Sequence, residues 1–285
     1  MSTEAQYLKV LADIFEHESA ELEVGIGDDG AVIAPQKNSL VLSTDMAVEG
    51  THFNREWSSL YEIGGKITAA NLADIYAMGG EAKYLLVAAA IPKAMTIEEL
   101  TSLATGIRDE ARKVGALVIG GDLTRSETLT IAISVCGSVQ TPILRSGAHV
   151  GDVVAISELP GKSSLGLELL KQGIKDDRTL AHRYPQVNYK KVQELDRTLV
   201  HSLTDVSDGL IEELNAIASR SGVAIELSSS LFGKDIHALH GGEDHVFVGT
   251  FSSTPAGWIE IGKVVEGSLV RLDGQVISHQ GFMHF

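Results

Sequence analysis

Residues 140–151 read QTPILRSGAHVG, a polar, turn-rich run between two stretches of ordinary apolar periodicity. Working back from it, Leu129–Val139 and Ala116–Ile119 predict strands, and Thr96 caps a helix running to about Val114. Tyr84–Ile91 is an apolar strand closed by Pro92, and Glu62–Met78 is a helix stopped by Gly79-Gly80. Leu40–Ser43 is a short strand ending at Thr44-Asp45, and Leu8, Leu11, Ala12 and Phe15 set a helix over Ala5–Glu16. Beyond residue 151 the pattern restarts. It predicts a strand over Val153–Ser157, a helix over Ser164–Gln172, a polar segment around Lys175-Asp176-Asp177 and helices over Tyr189–Leu199 and Leu210–Ser219. Strands follow at Ala224–Leu227, Val246–Phe251, Ile259–Val265, Leu269–Leu272 and Val276–Ser278. Helices and strands mix without regular βα alternation, so the expected fold is α+β in two lobes, 1–140 and 141–285. A length of 285 residues, at about 150 per domain, agrees with that division.

The formal charge is -15, from 23 basic and 38 acidic residues. That balance argues against nucleic acid or an anionic membrane surface as a partner. It also means that an anionic ligand would need cations to neutralise it. The one cysteine, Cys136, allows no internal disulfide and fits a reducing cytosol. No run approaches the roughly 18 apolar residues of a membrane span, and MSTEAQYLKV lacks an apolar signal core. The expectation is a soluble cytoplasmic protein.

Two phosphate-loop patterns nearly match and are rejected. Gly25-Ile26-Gly27-Asp28-Asp29-Gly30 satisfies G-x-G-x-x-G, but that fingerprint needs a strand before it and a helix after it. Here two carboxylates occupy the anion's place and Ala31-Val32-Ile33 reads as strand. Gly161-Lys162-Ser163 resembles the end of a P-loop, yet Ile156 stands where its first glycine belongs.

The chain offers acids at turns instead: Asp28-Asp29, Asp45 after Ser43-Thr44, Asp122 after Gly120-Gly121, Asp205 and Asp208 around Ser207, and Glu243-Asp244 after Gly241-Gly242. Singly, such residues are ordinarily caps or turn formers. Asp74, in Asn71-Leu72-Ala73-Asp74, is least cap-like, because the helix continues past it and an interior Asp is unfavourable there. As a set, clustered carboxylates need cations, and hard oxygen ligands suit Mg²⁺ bridging to phosphates. Zn²⁺ fits less well, given one cysteine and no close histidine pair at ligand spacing. Nucleophilic catalysis has little support: no G-x-S-x-G elbow is present, and Cys136 reads as a packed core thiol. Arg145 in the interlobe run is either a surface charge or a phosphate clamp. His52, in Glu49-Gly50-Thr51-His52-Phe53, is either a solvated loop residue or a ligand contact.

The segments GIGDDGAVI, LSTDMAVEGTHF, ANLADIYAMGG, VIGGDLTRS, RSGAHVGD, TDVSDGL, GGEDH and GFMHF, in that order, resemble the thiamine-monophosphate kinase family from about Gly25 to Phe285. The wider superfamily includes aminoimidazole ribonucleotide synthetase, selenophosphate synthetase and a hydrogenase-maturation protein. The resemblance implies two α+β lobes, the N-terminal lobes pairing into a homodimer, and transfer of the γ-phosphoryl of ATP to thiamine monophosphate. By position it implies magnesium ligands at Asp29, Ser43, Thr44, Asp45, Asp74, Asp122, Asp205 and Asp208. It places Gly121, Asp122, Arg145 and Ser207 at ATP, and His52, Glu243 and Phe282 around the thiamine substrate. His245 stands where the family usually carries tyrosine, Phe282 where a larger or hydroxylated aromatic is common, and the Leu227–Gly241 connection is short.

In the expected mechanism Asp45, Asp74 and Asp122 hold Mg²⁺ on the triphosphate and Asp205 and Asp208 contribute from the second lobe. Asp45, Asp122 and Asp208 are the acids nearest the chemistry. The alternatives are another ATP-using member that activates a carbonyl or amide oxygen, and a non-catalytic nucleotide- or metal-binding homologue.

Overall fold

The computed structural model describes residues 4–15, 21–24, 26, 31–34, 37–232 and 235–277. It divides into two compact units: Met1–Ile75 with Gly80–Gln140, and Tyr76–Gly79 with Thr141–Phe285.

The first unit contains α1 (Glu4–Phe15), β1 (Leu22–Val24), β2 (Val32–Ile33), β3 (Ser39–Val48), the helix α2 (Leu60–Ala77), β4 (Glu81–Pro92), α3 (Ile97–Arg112), β5 (Leu117–Ser126) and β6 (Thr130–Val139). Its main sheet has the order β3-β6-β4-β5, antiparallel except for the β4–β5 pair that α3 connects. Thr96 and Glu99 close a reciprocal capping box at the start of α3, as the sequence predicts. Helices α2 and α3 meet backbone to backbone at Gly64 and Gly106, where a Cβ on either would collide with a carbonyl of the other helix. One face of the sheet buries Leu85, Ile131, Ile133 and Val135. The other face leaves Leu40, Leu42, Met46 and Leu86 exposed, at 57%, 69%, 61% and 47%.

The second unit contains β7 (Val153–Ile156), α4 (Lys162–Lys171), α5 (Leu180–Arg183), α6 (Lys190–Gln193), β8 (Val200–Asp205), α7 (Leu210–Ser221), β9 (Ala224–Leu227), α8 (Ile236–His240), β10 (Phe247–Phe251), β11 (Ile259–Val265), β12 (Leu269–Leu272) and β13 (Gln275–Val276). Seven strands run in the order β13-β12-β9-β11-β7-β10-β8, with only the β12–β9 pair parallel. The apolar stripe Leu210, Ile211, Leu214 and Ile217 of α7 is fully buried in a core with Val154, Ile156, Val248 and Ile261. Tyr76–Gly79 belong here: the Tyr76 ring lies 4.9 Å from that of Tyr189, and Ile143 donates its amide to the Met78 carbonyl at 2.9 Å.

Several local expectations are corrected. The strand expected to stop at Asp45 continues to Val48, so Asp45 lies within β3. Likewise β5 runs through Gly120-Gly121-Asp122 to Ser126. The helix expected over Tyr189–Leu199 shrinks to Lys190–Gln193. Its continuation is broken at Asp196, whose carboxylate accepts from the Thr198 amide at 2.9 Å and the Thr198 hydroxyl at 2.7 Å, a local turn that competes with helix. Strand β8 and helix α8 were not expected. Cys136 is half-buried rather than enclosed, with burial raising its thiol pKa.

Candidate active site

In the first unit the site is built where α2 meets the edge strand β3. The Ser43 hydroxyl donates to Asp74 Oδ2 at 2.5 Å, a short, charge-assisted bond. Two residues on, the Asp45 amide donates to Asn71 Oδ1 at 3.0 Å, and Asn71 Nδ2 donates to the Ile67 carbonyl at 2.9 Å. Asn71 is fully buried and Asp45 is exposed, so a rigid interior amide fixes the backbone beneath an accessible carboxylate. The Thr44 hydroxyl donates to the Ile133 carbonyl at 3.1 Å and lies 3.0 Å from the Ser134 hydroxyl. Ser43 and Asp74 thus share a bond, and Asp45 follows two residues on along β3 with its backbone held by α2; their side-chain oxygens are of the kind that suits a hard divalent cation. His52 closes the turn after β3, its Nδ1 accepting from the Val48 amide at 3.0 Å. That bond places the proton of neutral His52 on Nε2.

Asp122 is exposed on β5, opposite Ala88 of β4, which is in turn opposite Ala132 of β6 and Met46 of β3. Strands β3 and β5 are the two edges of this sheet. Three steps of about 4.8 Å put Asp45 and Asp122 on strands about 14 Å apart along the sheet. Within one chain these two acids are not a clasped pair.

In the second unit the TDVSDGL segment joins β8 to α7. Glu213 of α7, which lies outside the motif segments of the sequence, is its hub. Its Oε2 accepts from Arg145 Nη2 at 3.0 Å and from the Thr204 hydroxyl at 3.2 Å, and its Oε1 accepts from the Ser207 hydroxyl at 3.1 Å. Arg145 Nε also donates to the Thr204 hydroxyl at 3.1 Å. Burial first, then the nearby Asp205 charge, pushes the Glu213 carboxyl up to about 7, against the lowering pull of Arg145. The available signal was its phase: Glu213 falls on the same helical face as Leu210, Leu214 and Ile217, a carboxylate on an apolar stripe.

The Gly241–His245 segment lies against this turn. The Glu243 amide donates to the Ser207 carbonyl at 2.7 Å and the His245 amide to the Val206 carbonyl at 2.9 Å. Glu243 and His245 both adopt left-handed backbone, φ 62° and 52°, a strained conformation of the kind that clusters at functional sites. His245 Nδ1 lies 3.0 Å from Asp205 Oδ2, and both side chains are buried. Glu243 Oε2 lies 3.3 Å from His182 Nδ1. Asp208 is half-buried on the turn itself. Asp244 accepts from the Gly161 and Ser163 amides at 2.6 and 3.0 Å. The start of α4, where the P-loop-like Gly161-Lys162-Ser163 stands, is therefore filled by the chain's own carboxylate. Asp29 and Phe282 lie outside the described residues.

Residues 27–139 match the family model described as AIR synthase related protein, N-terminal domain. Over 278 residues the chain is 35% identical to a thiamine-monophosphate kinase of Mycobacterium tuberculosis, covering 90% of this chain and 84% of that protein. Its structure superposes on a thiamine-monophosphate kinase from Stenotrophomonas maltophilia with a TM-score of 0.83 at 27% identity, over 95% of this chain and 96% of the other. It superposes on AaThiL complexed with AMPPCP and TMP with a TM-score of 0.81 at 28% identity, over 100% of this chain and 99% of that one. The chain belongs to the thiamine-monophosphate kinase family, and it is an enzyme, a phosphotransferase.

Proposed function

We propose that this chain transfers the γ-phosphoryl group of ATP to the phosphate of thiamine monophosphate, giving thiamine diphosphate and ADP, with Mg²⁺ neutralising the triphosphate. The observation that carries the reading is the set Ser43, Asp45 and Asp74: Ser43 bonded to Asp74, and Asp45 two residues on with its backbone amide held by Asn71. All its donors are oxygen, which matches Mg²⁺ and not a softer metal. Ser43, Thr44, Asp45, Asp74 and Asp122 are the proposed ligands in the first unit, with Asp29 from the Gly-rich loop. Asp205 and Asp208 are the proposed ligands in the second. Bound there, Mg²⁺ supplies charge neutralisation and orients the phosphates.

Gly121 and Asp122 on β5, with Arg145 and Ser207 tied through Glu213, are the proposed ATP contacts. An acceptor phosphate with a second pKa near 6 is mostly dianionic at neutral pH, so the chain need not supply a base. Its residues position and neutralise, as phosphoryl transfer mainly requires. His52, Glu243 and Phe282 are the proposed thiamine contacts, a carboxylate and an aromatic face suiting a cationic heterocycle. The bare apolar face at Leu40, Leu42, Met46 and Leu86 supports a homodimer through the first unit. Among the described residues no helix is long and apolar enough to cross a membrane, and we place the activity in the cytoplasm.

Incubation with ATP, Mg²⁺ and thiamine monophosphate, followed by chromatography, tests the reading. Thiamine diphosphate and ADP in equal amounts are expected. ATP turnover with no thiamine diphosphate would assign the chain to a carbonyl- or amide-activating cousin, and binding without turnover to a non-catalytic homologue.

A further inference from the structure

Three side chains of the second unit with no role in the proposed reaction converge at the N-terminal end of β8. His149 and Asp152 lie in the turn before β7, and His201 lies on β8, four residues before Asp205. His149 Nδ1 and His201 Nδ1 are 3.4 Å apart, and His201 Nδ1 is 2.9 Å from Asp152 Oδ2. One ligand atom from each of the three residues lies within 4.8 Å of the others. We propose that His149, Asp152 and His201 form a binding site for a borderline transition-metal cation of the Zn²⁺ class, separate from the oxygen-ligand magnesium residues.

The spacing fits such an ion. A tetrahedral cation about 2.0–2.1 Å from its ligands holds them about 3.4 Å from one another. Two imidazole nitrogens and one carboxylate also match the donor preference of Zn²⁺ and reject Mg²⁺, which favours oxygen. The rings meet edge to face, 4.8 Å between centroids at 87°, with the two Nδ1 atoms 3.4 Å apart. A neutral pair can put only one proton between those atoms, whereas a cation uses both lone pairs and the carboxylate together. The anchor is built in advance: Asp152 is only 5% exposed, and its Oδ2 is oriented by the His149 amide at 2.8 Å. His149 is exposed, which gives a path in from solvent and leaves room for a fourth ligand. Because β7 and β8 flank β10 on either side, the ion would tie the turn before one strand to the start of the other. The two histidines are 52 residues apart, so sequence spacing gave no sign of the pair.

The test is titration of the full chain, free of any affinity tag and stripped with chelator, with Zn²⁺ and Co²⁺ in the presence of millimolar Mg²⁺ to occupy the oxygen ligands. One tight equivalent, visible d–d absorption with Co²⁺ and a rise in Tm with Zn²⁺ are expected. His149→Ala and His201→Asn should each weaken that equivalent by about tenfold or more and remove the Tm rise. His149→Ala should keep the parent's metal-free Tm, because the side chain is exposed, and this separates loss of a ligand from loss of the fold. Failure of the parent to bind Zn²⁺, or retention of the same tight equivalent by both variants, would overturn the assignment.

Discussion

Arg145 and Glu213 are 68 residues apart in sequence, and the guanidinium of one donates to the carboxylate of the other at 3.0 Å. Arg145 is 42% exposed at its side chain and Glu213 only 6%, so the buried acid is the fixed member and the arginine the presented one. A hydrogen bond to a charged group contributes about 1.5–3 kcal/mol net. Glu213→Ala should therefore raise the KM for ATP about tenfold or more by releasing Arg145, with a smaller change in the KM for thiamine monophosphate. Steady-state kinetics in each substrate checks this. A lowered Tm with both KM values unchanged would make the pair purely structural.

The same carboxyl sets a pH dependence of stability. Its pKa is raised from 4.5 to about 7 in the fold, chiefly by burial. Across that window the folded chain keeps a proton that the unfolded chain releases, so this group favours folding at low pH and that contribution is lost as pH rises through about 7. In chelator, the Tm of Glu213→Gln relative to the parent should climb from pH 5 to pH 7 and then level off. Parallel Tm curves for the two proteins across that range would contradict the shift.

The fold was readable where one residue type dominated a local choice. The Thr96–Glu99 capping box and the apolar runs of β9, β11 and β12 are of that kind. Reading failed where a polar residue suggested an ending that packing overrode: Asp45 looked like a strand terminus, yet β3 pairs with β6 as far as Val48. The converse failure is the helix lost at Asp196, where side-chain bonds to Thr198 overrode helical periodicity. In the site, acids beside glycines were visible, but their supports were not. Asn71, Glu213 and the His149–His201 pair act through partners 26 to 68 residues away, and pairing at that range is a property of the fold.

Asp45→Asn should nearly abolish turnover. The carboxylate is exposed above a backbone pinned by Asn71, so the amide variant keeps the shape and loses the charge. Removing one such electrostatic element costs about 10³-fold in kcat. Activity within about tenfold of the parent, roughly 1.4 kcal/mol, would sink the metal role of Asp45.

ATP binding should require Mg²⁺. The net charge of -15 repels a bare triphosphate, and the start of α4, the P-loop-like place for an anion, is occupied by Asp244. Calorimetry should show tight binding in Mg²⁺ and a large loss in excess chelator. Equal affinity in both would mean that basic groups neutralise the phosphates.

The last prediction concerns Asn71, which is not itself a proposed metal ligand but holds the backbone of one, Asp45. β3 is an edge strand, and the amide of Asp45 finds its acceptor in a side chain of α2. Asn71→Ala removes that acceptor, leaving the part-buried Asp45 amide without it at about 1–3 kcal/mol, and removes the additional side-chain bond to the Ile67 carbonyl, which keeps its helical partner. Stability alone does not distinguish a positioning residue from a structural one, because any buried amide would lower Tm when lost. The distinguishing quantity is the Mg²⁺ concentration for half-maximal activity. If Asn71 sets where Asp45 meets the metal, that concentration should rise severalfold in Asn71→Ala, while kcat at saturating Mg²⁺ falls less. Asn71→Asp keeps an acceptor for the Asp45 amide and should recover part of the Tm. It also adds a negative charge one helical turn from Asp74, so its Mg²⁺ response should differ from that of the alanine variant. A fall in Tm with an unaltered Mg²⁺ requirement in Asn71→Ala would confine Asn71 to the core and detach it from the site.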